Sequence, residues 1–589
     1  MPRTTLALTS FVSGEFSAKM DGRTDFDKYT SGVKTMENFL VHPQGSATRR
    51  VGTQHIAEVK DSTKKTRLIP FEFSTTQTYI LEFGDQYMRV YKDKGQVLSG
   101  GSPFEISTPF LEAELFDIKF AQSADVMYLC HPNHDVRKLS RTGHTAWTLA
   151  TVSFTGSPSL PISGANNRPS CVSFFEQRLV FANTITNPQT LWFSKAGDYE
   201  NFTTGTNADD AMIYTIASNQ VNAIQYLKAV RTLVVGTSGG EFTVSADGTD
   251  ASITPTNVTI KRQSSFGSAG VDAIPAGNAV LFLQKAKRKI RELAYNFDSD
   301  GYVAPDLTIL NDTVTKSGVN QMIFQQEPDS IIWCVRDDGV LAGLTYQRSE
   351  NVVAWHRHIF GGSFGSGNSV CESAASISGT LTEDELWVIV KRTINGATKR
   401  YVECFSDFDF DETTATDFKF LDSHLNYSGS ATTTLSGLSH LEGQTVSILA
   451  DGSVHANKVV SSGSITLDRS VTKACVGLAY DSVLQTMRIE GGAAEGTSQG
   501  KTKRISKVVL RLFETVGVKV GPSLDQLETV PFRTTSSNLS APVDTLLAGD
   551  KEIEFRDDYN SDGFIFIKQD QPLPCSVLAI YPTVVTSDG

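Results

Sequence analysis

Gly236-Thr237-Ser238-Gly239-Gly240 spells the G-x-S-x-G of a nucleophile elbow. An elbow needs a strand before its serine and a helix after it, so that the hydroxyl is lifted out of the sheet. Here Glu241-Phe242-Thr243-Val244 continues as strand, which predicts a glycine-rich hairpin turn instead. Asn296-x-Asp298-x-Asp300-Gly301 and Asp558-x-Asn560-x-Asp562-Gly563 open like calcium loops. The closing bidentate Glu is replaced by Leu307 and Gln569, so Asx-type turns between strands are the expectation. His131 and His134 flank a Pro-Asn turn, and His356 and His358 share a strand face. Zinc takes three or four ligands, and neither pair has a visible third. Asp407, Asp409 and Asp411 alternate in a polar stretch that reads as a solvated linker, and 361–367 (GGSFGSG) lacks the Lys-Ser/Thr of a phosphate loop. No catalytic set, metal site or cofactor site is expected from these residues, and the chain is not read as an enzyme.

Two basic stripes remain. In a strand, Lys285, Lys287, Lys289 and Arg291 would point the same way. Lys501, Lys503, Lys507 and Arg511 would do likewise, with Val508, Leu510 and Leu512 facing a core. In a chain of formal charge −12 such stripes meet solvent, acidic neighbours at an interface, or a passing polyanion. The overall balance argues against a dedicated nucleic-acid binder.

The elements that must position these residues are mostly strands. Residues 331–358 read as strand, Asp-Asp-Gly turn, strand, polar break, strand, a meander of about four strands. Looser copies lie at 77–98, 125–149, 171–202, 222–248 and 277–303. Six or so meanders at a period of roughly 40–55 residues predict a β-propeller, with a stack of unrelated sandwiches as the alternative. Phe26, Tyr29, Val33, Met36 and Leu40 recur at helical spacing and predict one amphipathic helix, capped by Thr24 or Asp25 and stopped before Pro43. The expected organisation is an N-terminal docking segment (1–60), propeller blades (61–404), a small inserted β-domain with linker-like edges (405–500) and a C-terminal β-segment (501–589). A length of 589 residues fits several domains. No run is long and apolar enough for a membrane span, no signal peptide opens the chain, and seven scattered cysteines read as free thiols made in a reducing cytosol.

Several phrases also carry a family likeness. Residues 11–53 (FVSGEFSAKMDGRTDFDKYTSGVKTMENFLVHPQGSATRRVGT) are the most specific, joined by 176–202, GTSGGEF (236–242), 327–346, 437–452 and QPLPCSVLAIYP (571–582). On these the chain resembles the tail nozzle, or tail tubular, proteins of short-tailed bacteriophages. Ala18 and Val51 stand where prolines are expected, and Ser46 where a glycine is. The resemblance implies a propeller-bearing virion subunit, assembled in the host cytoplasm into a ring, six-fold, below the portal and tail adaptor. It further implies contact with tail fibres, transient contact with genomic DNA in the lumen, and no membrane insertion. A propeller-type tail component that binds or depolymerises host surface glycans is the alternative, and would need paired carboxylates facing a cleft.

Overall fold

The computed structural model describes residues 3–156, 162, 164–217, 220–248, 251–298, 300–379, 383–407, 415–491, 497–532 and 546–587. Its centre is a β-propeller of seven blades. Antiparallel meanders within 67–107, 119–151, 171–215, 224–264, 274–303 and 319–358 form the first six in chain order. The seventh takes three strands from Val370–Ser378, Asp384–Ile394 and Ala397–Phe405. Its outermost strand is Thr53–Glu58, contributed from ahead of the first blade and registered Tyr401↔Glu58 through Phe405↔Thr53. A strand from the front of the chain therefore closes the ring.

The blades form because their strands are apolar on both faces. In Val126–His131 (VMYLCH), Met127 and Leu129 pack back on blade one, while Tyr128 and Cys130 pack forward on blade three. Alternation with a period of two sends successive side chains to opposite faces, so a strand covered on both sides reads as a continuous hydrophobic run. Each blade boundary carries such a core. At the closing boundary Leu68, Ile80 and Tyr91 meet Ala375, Ile377 and Trp387. The Asp-Asp-Gly turn of blade six is as expected, with Gly339 at φ +83, a conformation open to glycine at no steric cost.

Two further bodies grow from the last two blades. Blade six continues edge to edge through Gly14–Glu15 and Gly32–Glu37 into strands at 482–486, 566–569, 519–521 and 528–529. A second sheet faces it, ordered 39–41, 47–49, 576–587, 502–515 and 547–554. Phe11, Met36, Phe39, Ile505, Val508, Leu510, Ile567 and Ile580 share the core of this sandwich. The N-terminal segment, expected to stand apart for docking, is woven into the C-terminal β-segment. Blade seven continues into a small β-body over 422–478, which has its own core around Leu441, Ile448, Ile465 and Val476. This body lies within the expected insertion (405–500); of its expected linker edges, 405–417 and 491–500, the parts 408–414, with Asp409 and Asp411, and 492–496 lie outside the described residues.

The expected N-terminal helix is not formed. Tyr29–Ser31 is a single 3-10 turn, and Gly32–Glu37 and Phe39–Val41 are strands. The strand Gly32–Glu37 pairs with Ser482–Thr486, and its register shifts between Val33 and Thr35. One extra residue at that bulge puts Val33 and Met36 on the same face, three apart. Bulged strand and helix then share a spacing.

Candidate functional site

The first strands of the seven blades enclose an axial tunnel of about 480 Å³. Much of its wall is small or apolar, including Ala121, Ala229, Ala273 and Ala374. Four charged residues interrupt it: Arg67, Lys119, Lys228 and Asp272. Lys119 Nζ lies 2.9 Å from Asp272 Oδ1 and donates to the Gly270 carbonyl at 2.6 Å. Arg67 Nη1 donates to the Leu115 and Ile118 carbonyls, each at 2.8 Å, and its Nε is buried without a partner. Burial pushes the Lys228 ammonium down, and Asp272 opposes that push. Burial works against the Asp272 carboxylate too, but Lys119 and Lys228 outweigh it and hold the group below the ordinary aspartate range. Three basic side chains and one carboxylate thus share the tunnel wall. The tunnel's size excludes a nucleic-acid duplex.

Sequence reasoning missed these four residues because no local spacing joins them. Arg67, Lys119 and Lys228 belong to the first strands of blades one, two and four, and Asp272 precedes that of blade five. A single charge inside an otherwise apolar first strand, as in RLIPF or IQYLKA, was the available signal.

The basic stripes are not displayed as expected. Lys285, Lys287 and Lys289 lie in the hairpin turn between Ala279–Leu283 and Ile290–Asn296, and Lys287 has φ +58, so no strand aligns them. Lys289 pairs with Asp306 at 2.9 Å, and Lys287 reaches Asn320 at 3.2 Å. Arg291 stacks over Phe266 at 3.5 Å. Lys285 and Arg288 of this turn are exposed. In the second stripe, Lys501 precedes the strand Thr502–Thr515. A register shift between Ile505 and Lys507 turns Lys503 to the core face, where it is fully buried and donates to the Ile489 carbonyl at 3.0 Å. Lys507 and Arg511 face outward, paired with Glu552 and Asp550 of the neighbouring strand. Val508, Leu510 and Leu512 do face the core.

The other candidates fall as follows. Ser238-Gly239 is a hairpin turn between Leu233–Thr237 and Gly240–Ala246. Asn560 Oδ1 accepts the backbone N–H groups of Asp562 and Gly563, each at 2.8 Å, an Asx turn. His356 Nδ1 and His358 Nε2 are 2.6 Å apart and fully buried, with no third metal ligand among the described residues. Ser406 Oγ lies 3.0 Å from His424 Nε2, but burial pushes that imidazole down to about 3, too weak a base for a serine proton near neutrality. All seven cysteines are free and buried.

The densest polar cluster is structural. Arg50, fully buried, holds both oxygens of Asp422 at 2.8 and 2.6 Å, the Ile359 carbonyl at 3.1 Å and Asn38 Oδ1 at 2.9 Å, and stacks over Tyr480 at 3.7 Å. Arg392 and Glu403 form a second buried pair, and Thr53 Oγ1 donates to Glu403 at 2.6 Å. Arg49 donates to the carbonyls of Leu573 and Tyr480. The Arg-rich stretch 42–53 thus clamps the propeller, the small body and the sandwich together.

No family model and no curated protein matches the sequence. Among solved structures, the chain is similar to the β-propeller domain of Cps50 (Swd1) from Myceliophteria thermophila, with 8% identity, TM-score 0.36, and 60% of this chain and 100% of that one covered. It is also similar to the Pan2 WD40 domain of Neurospora crassa, with 8% identity, TM-score 0.34, and 61% and 96% covered.

Proposed function

We propose that the chain is a structural subunit of a short-tailed phage tail, a nozzle protein that closes into a ring with copies of itself and lets the genome pass. The supporting observation is the nozzle-like sequence of residues 11–53, the stretch that joins the three bodies through Gly14, Arg49 and Arg50. A family signature concentrated in a joint belongs to architecture rather than catalysis. The ring, six-fold below the portal, contacts the tail adaptor, and the fibres attach to it. The genome passes between subunits, because the propeller's own tunnel is too small. The subunit resides in the virion tail after assembly in the host cytoplasm.

Imaging or native mass measurement of purified tails tests this reading. The expected result is a cyclic particle at a multiple of the 64.1 kDa subunit, six copies for the hexamer. Only monomers in assembled tails would refute it. Binding or cleavage of host surface glycans by the isolated protein would instead favour the glycan-acting alternative.

A further inference from the structure

The hairpin turn of blade two holds a group of side chains that neither the joint nor the tunnel uses. His131 ends the strand Val126–His131, and His134 begins the next, His134–Gly143. Facing them is Glu114, from the short 3-10 segment Glu112–Asp117 that leads from blade one into blade two. His134 Nε2 and Glu114 Oε2 lie 2.7 Å apart, and Asn133 Nδ2 donates to Glu114 Oε1 at 2.9 Å. The Leu111 N–H donates to Glu114 Oε2, also at 2.9 Å, so the carboxylate is held from three sides. Phe110 walls the group in, with ring centres 5.1 Å from His134 and 6.2 Å from His131.

A hydrogen bond between Glu114 and His134 needs no third partner, yet His131 is there. It is 2% exposed, its Nδ1 accepts the Asn133 N–H at 3.1 Å, and its Nε2 is buried without a partner. Leaving such a nitrogen unsatisfied costs about 1–3 kcal/mol. One ligand atom from each of the three residues lies within 4.8 Å of the other two.

We propose that Glu114, His131 and His134 bind one divalent transition-metal ion, Zn²⁺ in the first place. Two imidazoles and one carboxylate are a donor set that zinc takes, leaving a fourth tetrahedral position for water. With metal–ligand distances near 2.1 Å, tetrahedral neighbours stand about 3.4 Å apart. The Glu114–His134 contact would open by a little more than half an ångström, and the widest pair would close by about 1.4 Å. Ligation through His131 Nε2, the nitrogen without a partner, shifts the ring proton to Nδ1 and so gives up the Asn133 N–H···Nδ1 hydrogen bond in exchange for a coordinate bond. The ion would pin the connection between blades one and two to the blade-two turn, and so stabilise that blade boundary.

The test is a titration of the full chain with Co²⁺ and Zn²⁺. Co²⁺ is read by its visible absorption, and Zn²⁺ by competition with a chromophoric chelator and by the melting temperature. The expected result is one equivalent, a four-coordinate Co²⁺ spectrum and a Zn²⁺-dependent rise in melting temperature. Glu114→Gln, His134→Gln and His131→Gln should each weaken binding about 100-fold, a loss at least as large as that for removing an outer partner of a metal ligand. His144→Gln, at an exposed histidine bonded to Tyr79, should leave it unchanged. Circular dichroism of each variant without metal separates lost ligation from lost folding, and any one folded variant suffices. No saturable equivalent, or equal affinity in the folded variants, overturns the proposal and leaves a hydrogen-bonded Glu114–His134 pair beside a buried histidine.

Discussion

At the scale of single residues, the molecule depends on charges taken fully out of water. The Arg50–Asp422 pair is bidentate, buried on both sides and surrounded by further acceptors and donors. Removing one partner strands the other, and Asp422→Asn or Arg50→Ala should lower unfolding stability by about 3–5 kcal/mol in denaturant titrations. Gly52→Ala should also destabilise, since a Cβ there would stand 1.9 Å from the Leu421 carbonyl oxygen. The buried histidines set a pH dependence. Burial pushes His356 and His424 down to about 3 and His440 to about 4. The unfolded chain, with histidines near 6.5, takes up protons that the folded chain refuses. The stabilisation from these neutral imidazoles is whole above pH 6.5 and is lost progressively as pH falls towards 3, each contributing a slope of up to about 1.4 kcal/mol per pH unit. Denaturation midpoints should therefore drop between pH 7 and 5, and His424→Gln should flatten that drop by one proton's worth.

At the scale of elements, bulges decide which charges are seen. The shift between Ile505 and Lys507 makes Lys503 and Arg511 unlike, although an unbroken strand would show them together. Lys503→Glu should cost about 3 kcal/mol or more, because it buries an unpaired charge. Arg511→Ala removes one exposed, solvent-screened pair and should leave the denaturation midpoint nearly unchanged. For the turn 284–289, Lys285→Glu with Arg288→Glu should leave melting unchanged, both being exposed. If that turn faces the lumen, particles carrying the pair should assemble normally and eject DNA at an altered, salt-dependent rate. Local pattern was readable wherever it was complete locally: the Asp-Asp-Gly hairpin of blade six, the Ser238-Gly239 turn and the Asx turn at Asn560 all follow from neighbouring residues. It failed where a distant strand decided the outcome. Val33 and Met36 looked helical because Ser482–Thr486 forces a bulge between them, and nothing near residue 33 announces that partner. The seventh blade went unseen because its fourth strand lies far upstream. Glu114 escaped for a similar reason, since no spacing ties it to His131 and His134.

At the scale of the whole molecule, the propeller, the small body and the sandwich are sheet-continuous, so a load on one reaches the others through hydrogen-bonded strands rather than flexible linkers. Residues 11–53 find their partners within the chain. The proposed ring therefore rests on the sequence likeness of residues 11–53 alone. The strand exchange that closes the propeller has a further consequence, for synthesis. Thr53–Glu58 is made early, but its partner Ala397–Phe405 is made only after six blades, and Arg3–Thr5 waits for Ser576–Ser587 at the far end. A ribosome that stalls anywhere before the end releases a chain with open sheet edges, prone to aggregation and proteolysis. Only a chain translated through its last described strand has both edges covered, so the topology itself separates finished copies from truncated ones.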